Sequence, residues 1–472
     1  MMVRRLVSRA RSGLRRFFHG MAGNVSVMAA LAFIPAVGLV GVATDYGLAL
    51  QTQARLNAAA DAASLAAIIR AQNEPGASTI IADATAAANA AFVVNAGNSN
   101  SLLSEPLSVS VAKSGRTYVA TISYKAARPT VFGGLMQVGS LPVHGASTAS
   151  VTVPSYLDFY LLLDVSGSMG IASTVAGQNA LALINPDQRD LYPGGCAFAC
   201  HFAQPMCDNP HGGSQVVCSG FNLSRTNGTS SRVANDYCPQ PNLTTCIQLR
   251  LDAVAYAVQR LLLTATGVET LANQFRVGLY PFIVHMQAKT PITSDLASVS
   301  AAAAGLPDLL DNGNGTDVAG SLGSGGTHFD NALTEMNSTI AAVGDGSSAS
   351  SPLPFVFLVT DGAQDNQKYL NSGGWTGSNH ATTLNTANCA LLKNRGVTVS
   401  VLYVPYVAIQ NVNTSFAGDE DDYANWNIPN IPPSLSSCAS PGFFFTANSP
   451  DDITVAMQAM FAQAVQAARL TH

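Results

Sequence analysis

Charged side chains are scarce in this chain: Asp, Glu, Lys and Arg together make up 11% of 472 residues, a low share for the surface of a cytoplasmic enzyme. Between Phe17 and Thr44 there are none at all. Common catalytic signatures are missing too, since Ser166 stands in Asp-Val-Ser-Gly-Ser rather than Gly-x-Ser-x-Gly, and neither His-Glu-x-x-His nor Gly-x-x-x-x-Gly-Lys-Ser/Thr occurs. No stripe of basic residues interleaved with aromatics follows the first few residues, which excludes an ordinary nucleic-acid surface. What is present is apolar: 47% of the residues, well above what a disordered chain carries, in a length that exceeds one usual core.

The uncharged stretch reads as a membrane span. Val25 to Ala43 is 19 residues long, just enough to cross a bilayer as a helix, and Pro35 within it is tolerated there. Arg4, Arg5, Arg9, Arg11, Arg15 and Arg16 precede it, so the positive-inside bias predicts a cytoplasmic amino terminus and an exported remainder. Setting those six aside leaves 17 basic residues against 28 acidic ones, a net of −11. A cleaved secretory signal is the alternative, but the apolar stretch exceeds an ordinary signal core and runs without a polar break into Asp45 and a further helical pattern.

The most informative run is Tyr160-Leu-Leu-Leu-Asp-Val-Ser-Gly-Ser-Met-Gly170, where an apolar strand ends on a carboxylate and two hydroxyls at alternating positions. Strand ends are where α/β folds bind ligands, and Gly167 with Gly170 makes the required turn cheap. Two later segments extend the set. Gly323-Ser-Gly-Gly-Thr-His-Phe-Asp leads a glycine-rich loop into a helix and offers Thr327, and the apolar run Leu353 to Val359 is followed at once by Thr360-Asp361-Gly362. Each piece alone is an ordinary turn signal; together, as oxygen donors, they suit a hard divalent cation.

In that order the three segments resemble the metal-ion-dependent adhesion site of von Willebrand factor type A domains. The resemblance implies a metal site of Asp164, Ser166, Ser168, Thr327 and Asp361 holding Mg²⁺ (Mn²⁺ or Ca²⁺ in its place), with one coordination position left for an acidic residue on a protein partner. The implied fold class is α/β, a doubly wound, mostly parallel sheet over 154–470, preceded by a transmembrane helix and a small α+β linking region. Strands are expected at Tyr156 to Leu163, Phe275 to Val284 (an edge), Phe355 to Val359, Val397 to Val404 and Phe443 to Ala447, with helices at Leu249 to Leu263 and Ile453 to Ala468.

The alanine-rich segment from Leu48 to Ile69 predicts one long helix continuing out of the span. Arg15-Arg16, Gly23-Asn-Val-Ser-Val-Met-Ala-Ala-Leu31, Pro35, Asp45 and Leu56-Asn-Ala-Ala-Ala-Asp-Ala-Ala-Ser-Leu65 resemble the amino-terminal region of TadG-like proteins of Tad (Flp) pilus assembly. The alternative is a generic anchor with an alanine-rich stalk. Prepilin-like relatives are cut after a glycine and carry glutamate five residues on; after Gly23 that place is Met28, so an uncut anchor is expected. The segments are therefore a basic cytoplasmic stretch 1–24, a span 25–44, a stalk and small α+β region 45–153 with helical Thr79 to Ala96 and strands Leu107 to Ala112 and Thr117 to Tyr124 about Gly115, and the type A domain.

Six of eight cysteines, Cys196, Cys200, Cys207, Cys218, Cys238 and Cys246, fall in a polar insertion, 187–247, read as stapled by disulfides in an exported compartment. Fifteen pairings are open to them; Cys389 and Cys438 are left to pair with each other. His201 and His211 among these cysteines raise a zinc reading, but the spacings match no finger.

The expected function is then a non-enzymatic, single-pass inner-membrane component of Tad pilus assembly, its main domain periplasmic or extracellular, engaging a partner or other Tad components through the metal. A general surface adhesin and a metal-dependent hydrolase are the alternatives; Asp365 and His328 lie close to the site in sequence, and His328 reads as a loop or capping residue.

Overall fold

The computed structural model describes residues 23–73, 78–172, 174–184, 247–311, 317–370, 374–378, 380–406, 408 and 420–470. The six leading arginines lie outside the described residues, as do 187–246 of the cysteine-rich insertion with its six cysteines, His201 and His211. The chain divides into two compact units, Met1–Val153 and Pro154–His472.

In the first unit, helix α1 (Gly23–Asn73) is continuous for 51 residues and contains Pro35. Its inner part is apolar all round: Leu31, Phe33, Ile34, Leu39 and Val40 are each at least 65% exposed, which marks a helix without a protein core around it. By length and composition two helices here could cross a membrane, within Val27–Asn73 and Ile80–Leu102. From Ala49 outward α1 changes character. Leu56, Ala59, Ala60, Ala63, Ala67 and Ala71 form a buried stripe, and these small side chains let helix α2 (Ile80–Ala96) lie close with its own Ala84, Ala88 and Phe92. Under both helices lies an antiparallel sheet of β1 (Ser108–Ser114), β2 (Thr117–Pro129) and β3 (Ser140–Thr152), in the order β1-β2-β3. β2 alternates, burying Tyr118, Ala120, Ile122, Tyr124 and Ala126, and Gly115 turns the first hairpin at a φ of 57°.

The second unit is α/β with a mixed six-stranded sheet. β4 (Leu157–Asp164), β5 (Phe275–Phe282), β7 (Leu353–Thr360), β12 (Thr398–Tyr403) and β13 (Phe444–Thr446) run parallel, and β6 (Thr290–Thr293) is antiparallel at one edge, giving the order β13-β12-β7-β4-β5-β6. β5 is therefore not the edge strand expected: β6 covers it. Four short strands, β8 (Ala363–Gln364), β9 (Lys368–Leu370), β10 (Gly374–Thr376) and β11 (Thr382–Thr383), pair as two small antiparallel ladders after β7.

The helices are α3 (Val175–Ile184), α4 (Arg250–Val268), α5 (Leu296–Ala304), α6 (Phe329–Thr339), α7 (Thr386–Lys393), α8 (Glu420–Asn427), α9 (Ile431–Cys438) and α10 (Pro450–Leu470). They cover both faces. Phe159, Leu161 and Leu163 of β4 pack under α4, α5 and α10, whereas Tyr160 and Leu162 pack under α6, α7 and α9. A strand buried on both sides needs such a continuous apolar run, and each fully buried Phe or Leu contributes about 1.5–3 kcal/mol. Asp158, near the start of β4, is met by a bidentate Arg276 at 2.7 and 2.6 Å. A disulfide joins Cys389 on α7 to Cys438 at the end of α9, as expected.

Candidate functional site

The strand tips of β4, β7 and β12 meet around three buried charges. Asp164 closes β4 and is fully buried. Its Oδ1 accepts from the Ser166 hydroxyl at 2.5 Å and the Ser166 amide at 3.0 Å, and its Oδ2 accepts from the Thr360 hydroxyl at 2.6 Å. Ser168 Oγ lies 3.3 Å from Ser166 Oγ. Asp361, one residue past β7, is also fully buried, and there the structure supplies a cation of its own. Arg250, the first residue of α4, donates from Nη1 to Asp361 Oδ2 at 3.0 Å and to the Ser168 carbonyl at 3.2 Å, and from Nη2 to the Pro405 carbonyl at 3.1 Å. Its guanidinium lies 5.0 Å from the centre of the Tyr406 ring. One side chain thus ties together the loops leaving β4, β7 and β12.

Burial pushes Asp164 up to about 7, the Asp361 charge adds to the rise, and the Ser166 and Thr360 donors pull against it. Burial pushes Asp361 upward as well, opposed by Arg250. Two carboxylates sharing one fixed cation cannot both be ionised without leaving a net buried negative charge.

Thr327 sits in the neighbouring glycine loop, where its amide donates to the Asp365 carbonyl at 2.9 Å and its carbonyl accepts from the Asp365 amide at 3.2 Å. That pairing explains Gly326: a Cβ there would lie 2.4 Å from both the Asp365 and Gln367 carbonyl oxygens. His328 precedes α6, with its amide on the Ile283 carbonyl at 2.9 Å and its Nε2 3.1 Å from the Gln367 carbonyl. Asp311 fastens the same loop to the tip of β4: its amide donates to the Val165 carbonyl at 2.9 Å, and its carboxylate accepts from Ser324 Oγ at 2.5 Å and the Gly325 amide at 2.7 Å.

The sequence-predicted residues are therefore brought to one end of the sheet, but not as a metal centre. Among the described residues, no group of three or more His, Cys, Asp or Glu side chains could hold a metal ion. The physical reason is visible at the two carboxylates: both Asp164 oxygens are engaged by hydroxyls, and Asp361 Oδ2 is engaged by a guanidinium. The expectation of Mg²⁺, Mn²⁺ or Ca²⁺ at Asp164, Ser166, Ser168, Thr327 and Asp361 is overturned, and with it the partner carboxylate that was to complete the ion's coordination and the metal-dependent hydrolase. Sequence reasoning missed Arg250 and Asp311. Arg250 is 111 residues from Asp361 and no local pattern joins them, whereas Asp311 ends a short apolar run much as Asp164 does.

Residues 23–93 match the family model described as "Putative Flp pilus-assembly TadE/G-like". The match takes in α1 and most of α2 and leaves the second unit outside it. No curated protein matches the chain. Among solved structures it is similar to the pilus adhesin SpaC of Lactobacillus rhamnosus GG (12% identity, 76% of this chain and 34% of that one, TM-score 0.33). It is also similar to the PilB minor pilin of Streptococcus sanguinis (10%, 77% and 78%, 0.33) and the von Willebrand domain of the Mfa5 type V pilus tip protein of Porphyromonas gingivalis (12%, 67% and 97%, 0.34). All three are pilus proteins. The mixed sheet flanked by helices is consistent with a von Willebrand factor type A-like fold.

Proposed function

We propose that this chain is a single-pass, membrane-anchored component of Tad (Flp) pilus assembly that carries a von Willebrand type A-like domain on the exported side and works as a binding or scaffolding module without a metal. The observation that carries this is the coincidence of two features in α1: residues 23–93 match the TadE/G-like model, and the same helix exposes apolar side chains from Val27 to Val42 on every face but that of Gly38 and Gly41 before it enters a packed core. The six arginines before the span support a cytoplasmic amino terminus, with the rest beyond the inner membrane. The buried Cys389–Cys438 disulfide suits an oxidising compartment. On this reading 25–44 spans the bilayer, 45–153 is the stalk and 154–470 is the displayed domain.

Deleting the gene in the source bacterium should abolish Flp-type pili. The full chain should restore them, and a chain carrying Leu39→Arg with Val40→Arg, which places two charges in the span, should not. Normal piliation in the deletion strain would remove the assembly role, and a reporter after His472 that is active only in the cytoplasm would overturn the orientation.

A further inference from the structure

The loop between β2 and β3 is apolar and exposed. Its sequence, Thr130-Val-Phe-Gly-Gly-Leu-Met-Gln-Val-Gly139, has no charged residue, and Val131 and Met136 are 65% and 57% exposed, with Phe132 and Val138 exposed as well. A soluble stalk would gain nothing from presenting four such side chains on one short loop.

This loop does not stand free; it lies along α1. Asp45 is buried, and its carboxylate accepts from the amides of Val131 at 2.7 Å, Phe132 at 2.9 Å and Gly133 at 2.7 Å. From there the loop descends the helix toward the amino terminus. Phe132 packs on Gly41 so closely that a Cβ at Gly41 would lie 2.7 Å from the Phe132 Cβ, and a Cβ at Gly38 would lie 3.7 Å from the end of Met136. Gly38, Gly41 and Asp45 follow one face of the helix, and the same face continues outward through Ala49, Thr52 and Leu56 into the core.

The depth of these contacts identifies what covers the loop. If the span ends at Thr44, Gly41 lies about 4.5 Å and Gly38 about 9 Å inside it at 1.5 Å per residue, within a hydrocarbon half-thickness of about 15 Å. Backbone in that region must be satisfied without water. Six of the ten amides of 130–139 have such partners within the protein: three on Asp45, and Thr130 N on the Gly139 carbonyl, Gln137 N on Gly134 and Val138 N on Gly133, while the Thr130 hydroxyl donates to the Val138 carbonyl at 2.6 Å.

We infer that residues 130–139 form a second membrane contact, a re-entrant apolar wedge inserted among the lipid acyl chains of the outward leaflet beside α1 and clamped to it by Asp45. The wedge deepens the proposed function and rests on α1 being the anchor. Its role is to fix the tilt and rotation of the stalk on the membrane surface, which a lone helix leaves free.

The test uses the full chain reconstituted in phosphatidylethanolamine/phosphatidylglycerol vesicles containing a phosphatidylcholine brominated on its acyl chains. Single substitutions Val131→Trp, Met136→Trp, Leu39→Trp and Val94→Trp are compared with the unsubstituted chain, whose two tryptophans give the background. Val131→Trp and Met136→Trp should add emission that is blue-shifted and quenched at least half as strongly as that of Leu39→Trp, while Val94→Trp, on the exposed side of α2, should be quenched little. Quenching of Leu39→Trp with both loop variants no more quenched than Val94→Trp would overturn the wedge alone. Absence of quenching at Leu39→Trp would overturn the anchor reading and the wedge with it. Because both loop sites are already exposed, misfolding is not expected of them, and circular dichroism matching the parent checks each variant.

Discussion

At the scale of single residues, Arg250 holds the centre of the second unit together, and its removal should cost more than any contact it makes. Arg250→Met keeps the bulk but leaves Asp361 buried beside Asp164 with no compensating charge; the expected loss is about 3–5 kcal/mol in denaturant unfolding. Arg250→Lys should recover only part of it, because an ammonium cannot reach Asp361, Ser168 and Pro405 from one planar fork. A loss below 1 kcal/mol for Arg250→Met would mean the carboxylates simply take up protons. The carboxylate pair also predicts a pH dependence. Asp164 titrates near 7 in the folded chain against an ordinary value of 3.8, so between those limits the folded state keeps a proton that the unfolded chain has released. Its contribution to stability is therefore complete at the acid end, falls as pH rises through the window, and is spent above about pH 7. Asp164→Asn should flatten that slope, and the difference in Tm between variant and parent should grow in the variant's favour from pH 4 to pH 7; parallel profiles would refute the shift.

At the scale of elements, the Cys389–Cys438 link joins α7 to α9 across 49 positions of chain, including the segment that leaves β12. Replacing both cysteines with serine should lower stability by up to about 4 kcal/mol on a loop-closure account, read as a shifted denaturation midpoint that reductant reproduces in the parent. An unchanged midpoint would show that packing of α7 on α9 already restricts the unfolded loop. The larger elements are legible in the sequence for physical reasons. β4 and β7 must be apolar on both faces, which leaves runs such as Leu161-Leu-Leu163 and Phe355-Val-Phe-Leu-Val359, and β2 declares itself by alternation. β6 is not legible: Thr290-Pro-Ile-Thr is four residues with a proline, a pattern that passes for a loop, and missing it made β5 look like an edge. β3 escaped in part because its Ala, Ser and Thr carry little hydrophobic contrast. At the candidate site, local motifs find Asp164, Ser166, Ser168, Thr327 and Asp361 at one end of the sheet, but charge balance there depends on Arg250, which only the tertiary fold brings to it.

At the scale of the whole molecule, the chain is two units with separate cores, and each should behave as such. A polypeptide beginning at Pro154 should be recovered from the soluble fraction with Cys389 and Cys438 oxidised, and one ending at Val153 should sediment with membranes and resist extraction by carbonate. Membrane sedimentation of the 154–472 piece alone would place a lipid contact where none is expected. If 25–44 is the span, as proposed, α1 continues unbroken from the bilayer to Asn73, and the part beyond Thr44 is a rod roughly 43 Å long with no joint at the lipid surface. A sideways pull on the stalk is then delivered into the bilayer as leverage rather than absorbed by a hinge outside it. The compliant point is Pro35, where the helix lacks one backbone donor, so strain applied far from the membrane would be relieved near the middle of the span.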